Sequence, residues 1–183
     1  MQIFFFDPIQ TLLIDVIAWV IFHLTIGYLC SRIPVDRLNP NQWLFQTFPW
    51  EKGGKIYDQI FHVRAWKHLI PNGSALYKGT FSIKHLASSN LEYLERWLKE
   101  SVRAELCHWI MIVPGFLFFL WNSIGVGWAM VAYAILNNLI PIVMQRYNRP
   151  RIRRLIEKAR RAFPQVPLPS TPVQPHHLAG AEV

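Results

Sequence analysis

The chain has 183 residues, of which 52% are hydrophobic, 14% aromatic and only 16% charged. It is long enough for one domain and too apolar for disorder over most of its length, yet its charged fraction falls below the ~25% usual in soluble domains. The formal charge of +8 calls for an anionic partner, and two cysteines cannot build a disulfide framework.

Residues 9–30 form the first apolar stretch, interrupted only by Asp15 and His23. As a helix they reach ~33 Å, enough for a ~30 Å hydrocarbon core. A basic leader region and a small-residue cleavage site are both missing, so the stretch reads as an anchor rather than a cleaved signal. Asp15 and His23, at membrane depth, either pair with a neighbouring helix or work.

Residues 34–77 set aromatics beside charge. Within them 55–69 reads as one helix, with Ile56, Ile60, Val63 and Leu69 in a partial apolar stripe flanked by Arg64, Lys67 and His68. Such a helix lies in the headgroup plane, or packs as an ordinary amphipathic helix; Pro71-Asn72-Gly73 ends it. Next, Ser88-Ser89-Asn90 with Glu92 carries helix N-cap chemistry. Leu91, Leu94, Leu98, Val102 and Glu105 follow at spacings of three and four, a helix that runs into the second membrane span.

Residues 106–145 contain no Asp, Glu, Lys or Arg, and are too many for one crossing. The turn signal Trp121-Asn122-Ser123-Ile124-Gly125-Val126-Gly127 divides them into arms at 106–121 and 128–145. Each arm reaches ~24–27 Å, so two thin spans or a re-entrant hairpin fit, two spans being the simpler arrangement. After Pro150, residues 151–163 read as a short basic helix that binds anionic lipid, and 164–183 as a Pro-rich disordered tail. The expected fold is all-α integral membrane: one N-terminal span, an amphipathic, interfacial cytosolic segment and a C-terminal two-span helical hairpin, forming a single membrane-embedded domain over residues 1–163.

The basic residues orient it. Residues 1–31 and 104–145 hold no Lys or Arg; eleven lie in 32–103 and eight from Arg146 onward. Three spans put all nineteen on one side, which the positive-inside rule makes cytosolic. The expectation is a multi-pass protein of the cell membrane, N-terminus exterior and C-terminus cytosolic. Cys30 and Cys107 then fall at the cytosolic edge, as reduced thiols used for apolar packing.

Chemistry is densest in Arg103-Ala104-Glu105-Leu106-Cys107-His108-Trp109, where charge gives way to hydrocarbon. Glu105 and His108 are three apart and share a helix face. A carboxylate holding an imidazole fixes its tautomer and leaves the other nitrogen as a general base; the competing reading is a structural interfacial pair. Cys107 points away from His108, so the two are not a nucleophile–base dyad. Glu105-x-x-His108 is half of a di-iron motif without its second half, and no metal site is expected. His68 and His85 join the site only if the loop folds against the membrane. Asn138, mid-span, binds a neighbouring helix or the substrate. Nucleic acid is not an expected partner, because the basic and aromatic segments flank membrane spans.

Five runs occur in order: Arg32-Ile33-Pro34; Trp50-Glu51 with Gly54-Lys55; Val63-Arg64 with Trp66-Lys67-His68; Arg103-Ala104-Glu105 with His108-Trp109; and Gln145-Arg146-Tyr147-Asn148-Arg149-Pro150-Arg151. Together, over residues 17–160, they resemble the glycosyl-4,4'-diaponeurosporenoate acyltransferases of staphyloxanthin-type carotenoid biosynthesis. The resemblance implies transfer of a fatty acyl group to the C6 hydroxyl of a glucose attached to a carotenoid acid. It leaves His23 out of the site, since the staphylococcal type has an amide there. On this reading His108 is the general base and Glu105 its orienting partner. Arg103, Arg146, Arg149 and Arg151 hold the phosphates of an acyl-CoA or acyl-carrier thioester, a co-substrate rather than a resident cofactor. Trp109, Asn138, Tyr147, Asn148, His68, His85, Lys67 and Arg64 complete the expected substrate-facing set. Its partners are membrane lipids, a lipid-soluble glycosylated acceptor and the acyl donor. The alternative is a non-catalytic membrane protein whose basic face binds anionic lipid or a partner enzyme, for which Glu105 would not matter.

Overall fold

The computed structural model describes residues 2–70, 81–84 and 86–162, and among these all regular structure is helical. Helix α1 spans Pro8–Ser31; Asp7 caps it, Oδ1 accepting from Ile9 N at 2.9 Å and Gln10 N at 3.0 Å, and Pro8 occupies the first turn, where its missing N–H costs nothing. Helix α4, Leu91–Ile112, begins where the capping signal placed it, Asn90 accepting from Glu92 N at 2.9 Å. Pro114-Gly115 then tightens the chain into a 3₁₀ segment, Val113–Leu120, which ends at Trp121. After the turn comes α5, Ile124–Ala162. Helix α1, α4 with its 3₁₀ extension, and α5 are each long and apolar enough to cross a membrane. Across the hairpin, a Cβ on Gly115 would stand 3.0 Å from Ala134 Cβ, so small residues let α4 and α5 approach closely.

Two expected boundaries are corrected. The segment 55–69 is not one helix. It breaks at His62, whose φ of 49° is left-handed, into α2, Lys55–Phe61, and α3, Val63–Trp66, followed by a 3₁₀ turn, Lys67–Leu69. Asp58 explains the break: its Oδ1 accepts from Arg64 N at 2.9 Å, restarting the helix with a side-chain cap. The basic stretch after Pro150 is likewise no separate helix, because α5 continues through both Pro141 and Pro150 to Ala162. Proline at 150 removes a donor to the carbonyl of Arg146 and would ordinarily kink the helix. Here packing on both sides holds the line. Leu94 and Trp97 of α4 pack with Ile152 and Ile156 beyond the proline, while Tyr57 of α2 and Val63 of α3 pack with Val143 and Tyr147 before it. The tail 164–183 lies outside the described residues.

Gly54 shows how tightly residues 49–54 sit on α5. Its φ is +84°, and a Cβ there would lie 2.9 Å from Tyr147 O, 3.4 Å from Arg146 O and 3.5 Å from Pro150 Cγ. Only glycine takes that backbone conformation without strain at such a distance. Gly54→Ala is expected to destabilise the fold by about 2 kcal/mol or more, read as an earlier midpoint in thermal unfolding of the detergent-solubilised chain; an unchanged midpoint would contradict this packing.

At the opposite end Asp15 is buried in α1. Its Oδ1 accepts from Trp121 Nε1 at 2.7 Å and Asn122 Nδ2 at 2.8 Å, tying α1 to the α4–α5 turn. Ile3 N and Phe4 N reach Leu120 O at 2.7 and 2.9 Å, closing the same corner. Of the two readings open for Asp15, helix pairing is the one its contacts fill.

Candidate active site

The expected Glu105–His108 couple is not formed, and the residues around it sort into three groups. The first is a buried ionic hub. Glu105 is fully buried on α4. Its Oε1 accepts from Arg146 Nε at 2.8 Å and from Trp109 Nε1 at 3.2 Å, and Arg149 Nη2 lies 2.6 Å from Oε2. Arg146 also donates through Nη1 to Glu51 Oε1 at 2.8 Å and through Nη2 to Leu44 O. Arg149, 1% exposed, donates to Ser101 Oγ at 3.1 Å, Ser101 O at 3.2 Å and Phe45 O at 2.8 Å. Two guanidinium and two carboxylate groups thus balance one another, as buried charge must. They join α4, α5 and the 44–51 segment.

Arg146 and Arg149, expected as phosphate holders, are paired here with protein groups. Arg103 is committed in the same way, to Glu100 Oε2 at 2.6 Å and Ile33 O at 2.7 Å. Glu51, 1% exposed, is the hub residue that the sequence reading passed over. Its signal was the Trp50-Glu51 run, noted for the resemblance but given no partner. Tyr57 borders the hub; burial first, then the Glu51 carboxylate, pushes its phenol up to about 12, so it keeps its proton at any working pH.

The second group is the one with chemistry to offer. His108 Nδ1 lies 2.8 Å from Asn138 Oδ1, across the α4–α5 interface. Asn138, 3% exposed, donates its Nδ2 to Ala134 O at 2.8 Å, which fixes the amide with its oxygen toward the imidazole. An amide oxygen only accepts, so Nδ1 carries the proton and the Nε2 lone pair is the basic one. The hydrogen-bond partner of His108 is thus Asn138 rather than Glu105. A second imidazole, His23 of α1, donates Nδ1 to Trp19 O at 2.7 Å and is near enough to interact electrostatically with His108. Cys30, buried on α1, and Cys107 of α4 are both free thiols.

The third group surrounds the Tyr147 ring. Arg151 Cζ stands 3.5 Å from its centroid and Lys67 Nζ 5.5 Å, and Arg64, largely exposed, interacts with the same tyrosine. His68 is exposed on the 3₁₀ turn after α3, and Asn148 is half-buried on α5. His85 lies outside the described residues.

An imidazole with its tautomer set by a neutral amide, between two helices apolar enough to cross a membrane, has its Nε2 lone pair available to take up a proton. The family profile for glycosyl-4,4'-diaponeurosporenoate acyltransferase matches residues 41–158, the stretch that carries the hub, the His108–Asn138 pair and the Tyr147 cluster. Glycosyl-4,4'-diaponeurosporenoate acyltransferases of Staphylococcus aureus strains MRSA252 and N315 are each 36% identical over 143 residues, covering 78% of this chain and 86% of theirs. The chain belongs to this acyltransferase family. It is accordingly an enzyme that transfers acyl groups, which sets aside the non-catalytic alternative. No solved structure matches it. The runs that carried the family resemblance include hub and packing residues: Glu51 and Gly54, Val63, Arg103 and Glu105, Arg146, Tyr147 and Arg149.

Proposed function

We propose that this acyltransferase moves a fatty acyl group from a thioester onto a sugar hydroxyl of a glycosylated carotenoid or a related glycolipid, working at the membrane with His108 as general base. The observation that carries this reading is the His108–Asn138–Ala134 hydrogen-bond chain, set between two helices apolar enough to cross a bilayer. The names of the staphylococcal relatives supply the glycosylated carotenoid as acceptor. His108 Nε2 takes the proton from the sugar hydroxyl as its oxygen attacks the thioester carbonyl carbon. The C–S bond then breaks, and the leaving thiolate collects the proton from the imidazolium. An ester and a free thiol result, and the base is restored. The donor is an acyl-CoA or an acyl-carrier thioester, reaching the site from the cytosolic side, where the positive-inside rule puts every Lys and Arg.

Mass spectrometry of lipids and carotenoids from cells with and without the gene tests this directly. The expected result is loss of one acylated glycolipid with accumulation of its unacylated form; an unchanged glycolipid profile would refute the reaction. Recovery of the expressed chain in a detergent-free aqueous supernatant would refute the membrane placement.

A further inference from the structure

The cations around Tyr147 have no structural account in the hub. Arg151 feels repulsion from Arg64 and Arg154, and Asp58 is the carboxylate that attracts it. Asp58 is already occupied, its Oδ2 3.2 Å from Arg64 Nη2 and its Oδ1 capping α3. Gathering like charges costs free energy unless an anion joins them. The Tyr147 ring that both Arg151 and Lys67 approach is buried, and Arg151 Nη1 also donates to Tyr147 O, so the fold holds the side chains in place while their charges remain unneutralised.

What lies beneath the cluster names the anion. On α5, residues 136, 140, 144, 147 and 151 recur at spacings of four and three, one stripe along the helix. Leu136 and Ile140 on it are exposed apolar side chains, and Ile140 sits about 16 Å along the axis from Arg151, the depth of one leaflet's hydrocarbon. Ile60, Phe61 and Leu69, flanking the cluster on the α2–α3 side, are exposed as well. An apolar track one acyl chain long that ends in a knot of cations fits a phospholipid better than a soluble phosphate.

We propose that Arg64, Lys67 and Arg151, gathered on Tyr147, bind the phosphate of an anionic membrane lipid whose chain lies along Ile140 and Leu136. The proposal rests on the membrane placement of α5 but not on acyl transfer, so its failure leaves the role of His108 untouched.

The test is native mass spectrometry of the purified full chain in micelles holding equal amounts of phosphatidylglycerol and phosphatidylcholine. Preferential retention of phosphatidylglycerol is expected. The double variant Arg64→Gln/Arg151→Gln should lower it about thirtyfold, while Arg96→Gln/Arg160→Gln, both exposed, one on α4 and the other half a turn round α5 from Arg151, should leave it unchanged. Equal retention of the two lipids, an equal loss in the second double variant, or displacement of the lipid by an equal amount of inorganic phosphate would each overturn the assignment. Because the first variant could misfold, the unmodified chain gives a second reading. A diazirine-bearing phosphatidylglycerol should crosslink within residues 136–144, and crosslinks confined to other segments would overturn it.

Discussion

Replacing Glu105 by alanine should cost this protein 3–5 kcal/mol of stability, about what removing one partner of a buried ion pair costs elsewhere. The reason is the company it keeps. With Glu105 gone, Arg149 retains only neutral partners, Ser101 and Phe45 O, and Arg146 retains Glu51 and Leu44 O. One positive charge is left inside the hub without its counter-charge. A fall of roughly 10 °C in the thermal midpoint of the micelle-bound chain is expected. Arg149→Met should act in the same direction, and the pair Glu105→Leu/Arg149→Met should be milder than the sum of the single changes, since both charges leave together. A Glu105→Ala protein that unfolds with wild-type behaviour would show that the hub carries no such weight.

His108→Ala should do the reverse. We expect a loss of acyl transfer of ~10²–10⁴-fold, the usual contribution of a general base, with a smaller loss of stability than Glu105→Ala, about 1–3 kcal/mol for an Asn138 Oδ1 left without its imidazole partner, while Asn138 keeps its bond to Ala134 O. Asn138→Ala should lower kcat while leaving KM nearly unchanged, the signature of a residue that positions the base rather than binds substrate. Full activity in a folded His108→Ala protein would exclude the base assignment. The two residues first grouped as one couple are thus separable by experiment, one through stability and the other through turnover.

Features written in local pattern were legible in the sequence. The apolar stretch at 9–30 is α1 within a residue at each end, Asn90 caps α4, and the turn falls at Trp121–Ser123. Hydrophobic runs, caps and turn residues act on their own neighbourhood, so each can be read without knowing the fold. What depends on distant partners was not legible. Pro150 ends a helix in isolation, but here Trp97 and Ile152 on one side and Tyr147 on the other carry α5 past it. Residues 55–69 look continuous until Asp58 turns its carboxylate back onto Arg64 N. In the site, the three-residue spacing of Glu105 and His108 made contact possible, but it could not reveal two arginines 41 and 44 positions away competing for that carboxylate. Asn138 was in view as a polar group at membrane depth. Its pairing with His108 is a matter of how α4 and α5 are rotated against each other, which no single helix records.

Holding His108 by an amide instead of a carboxylate has an electrical consequence. Between turnovers the dyad is uncharged, so hydrocarbon can surround it without the large penalty that an isolated ion at that depth would bring. On the proposed mechanism, ionisation there lasts only from proton uptake to thiol departure, and between turnovers the pair meets its surroundings as a neutral dipole.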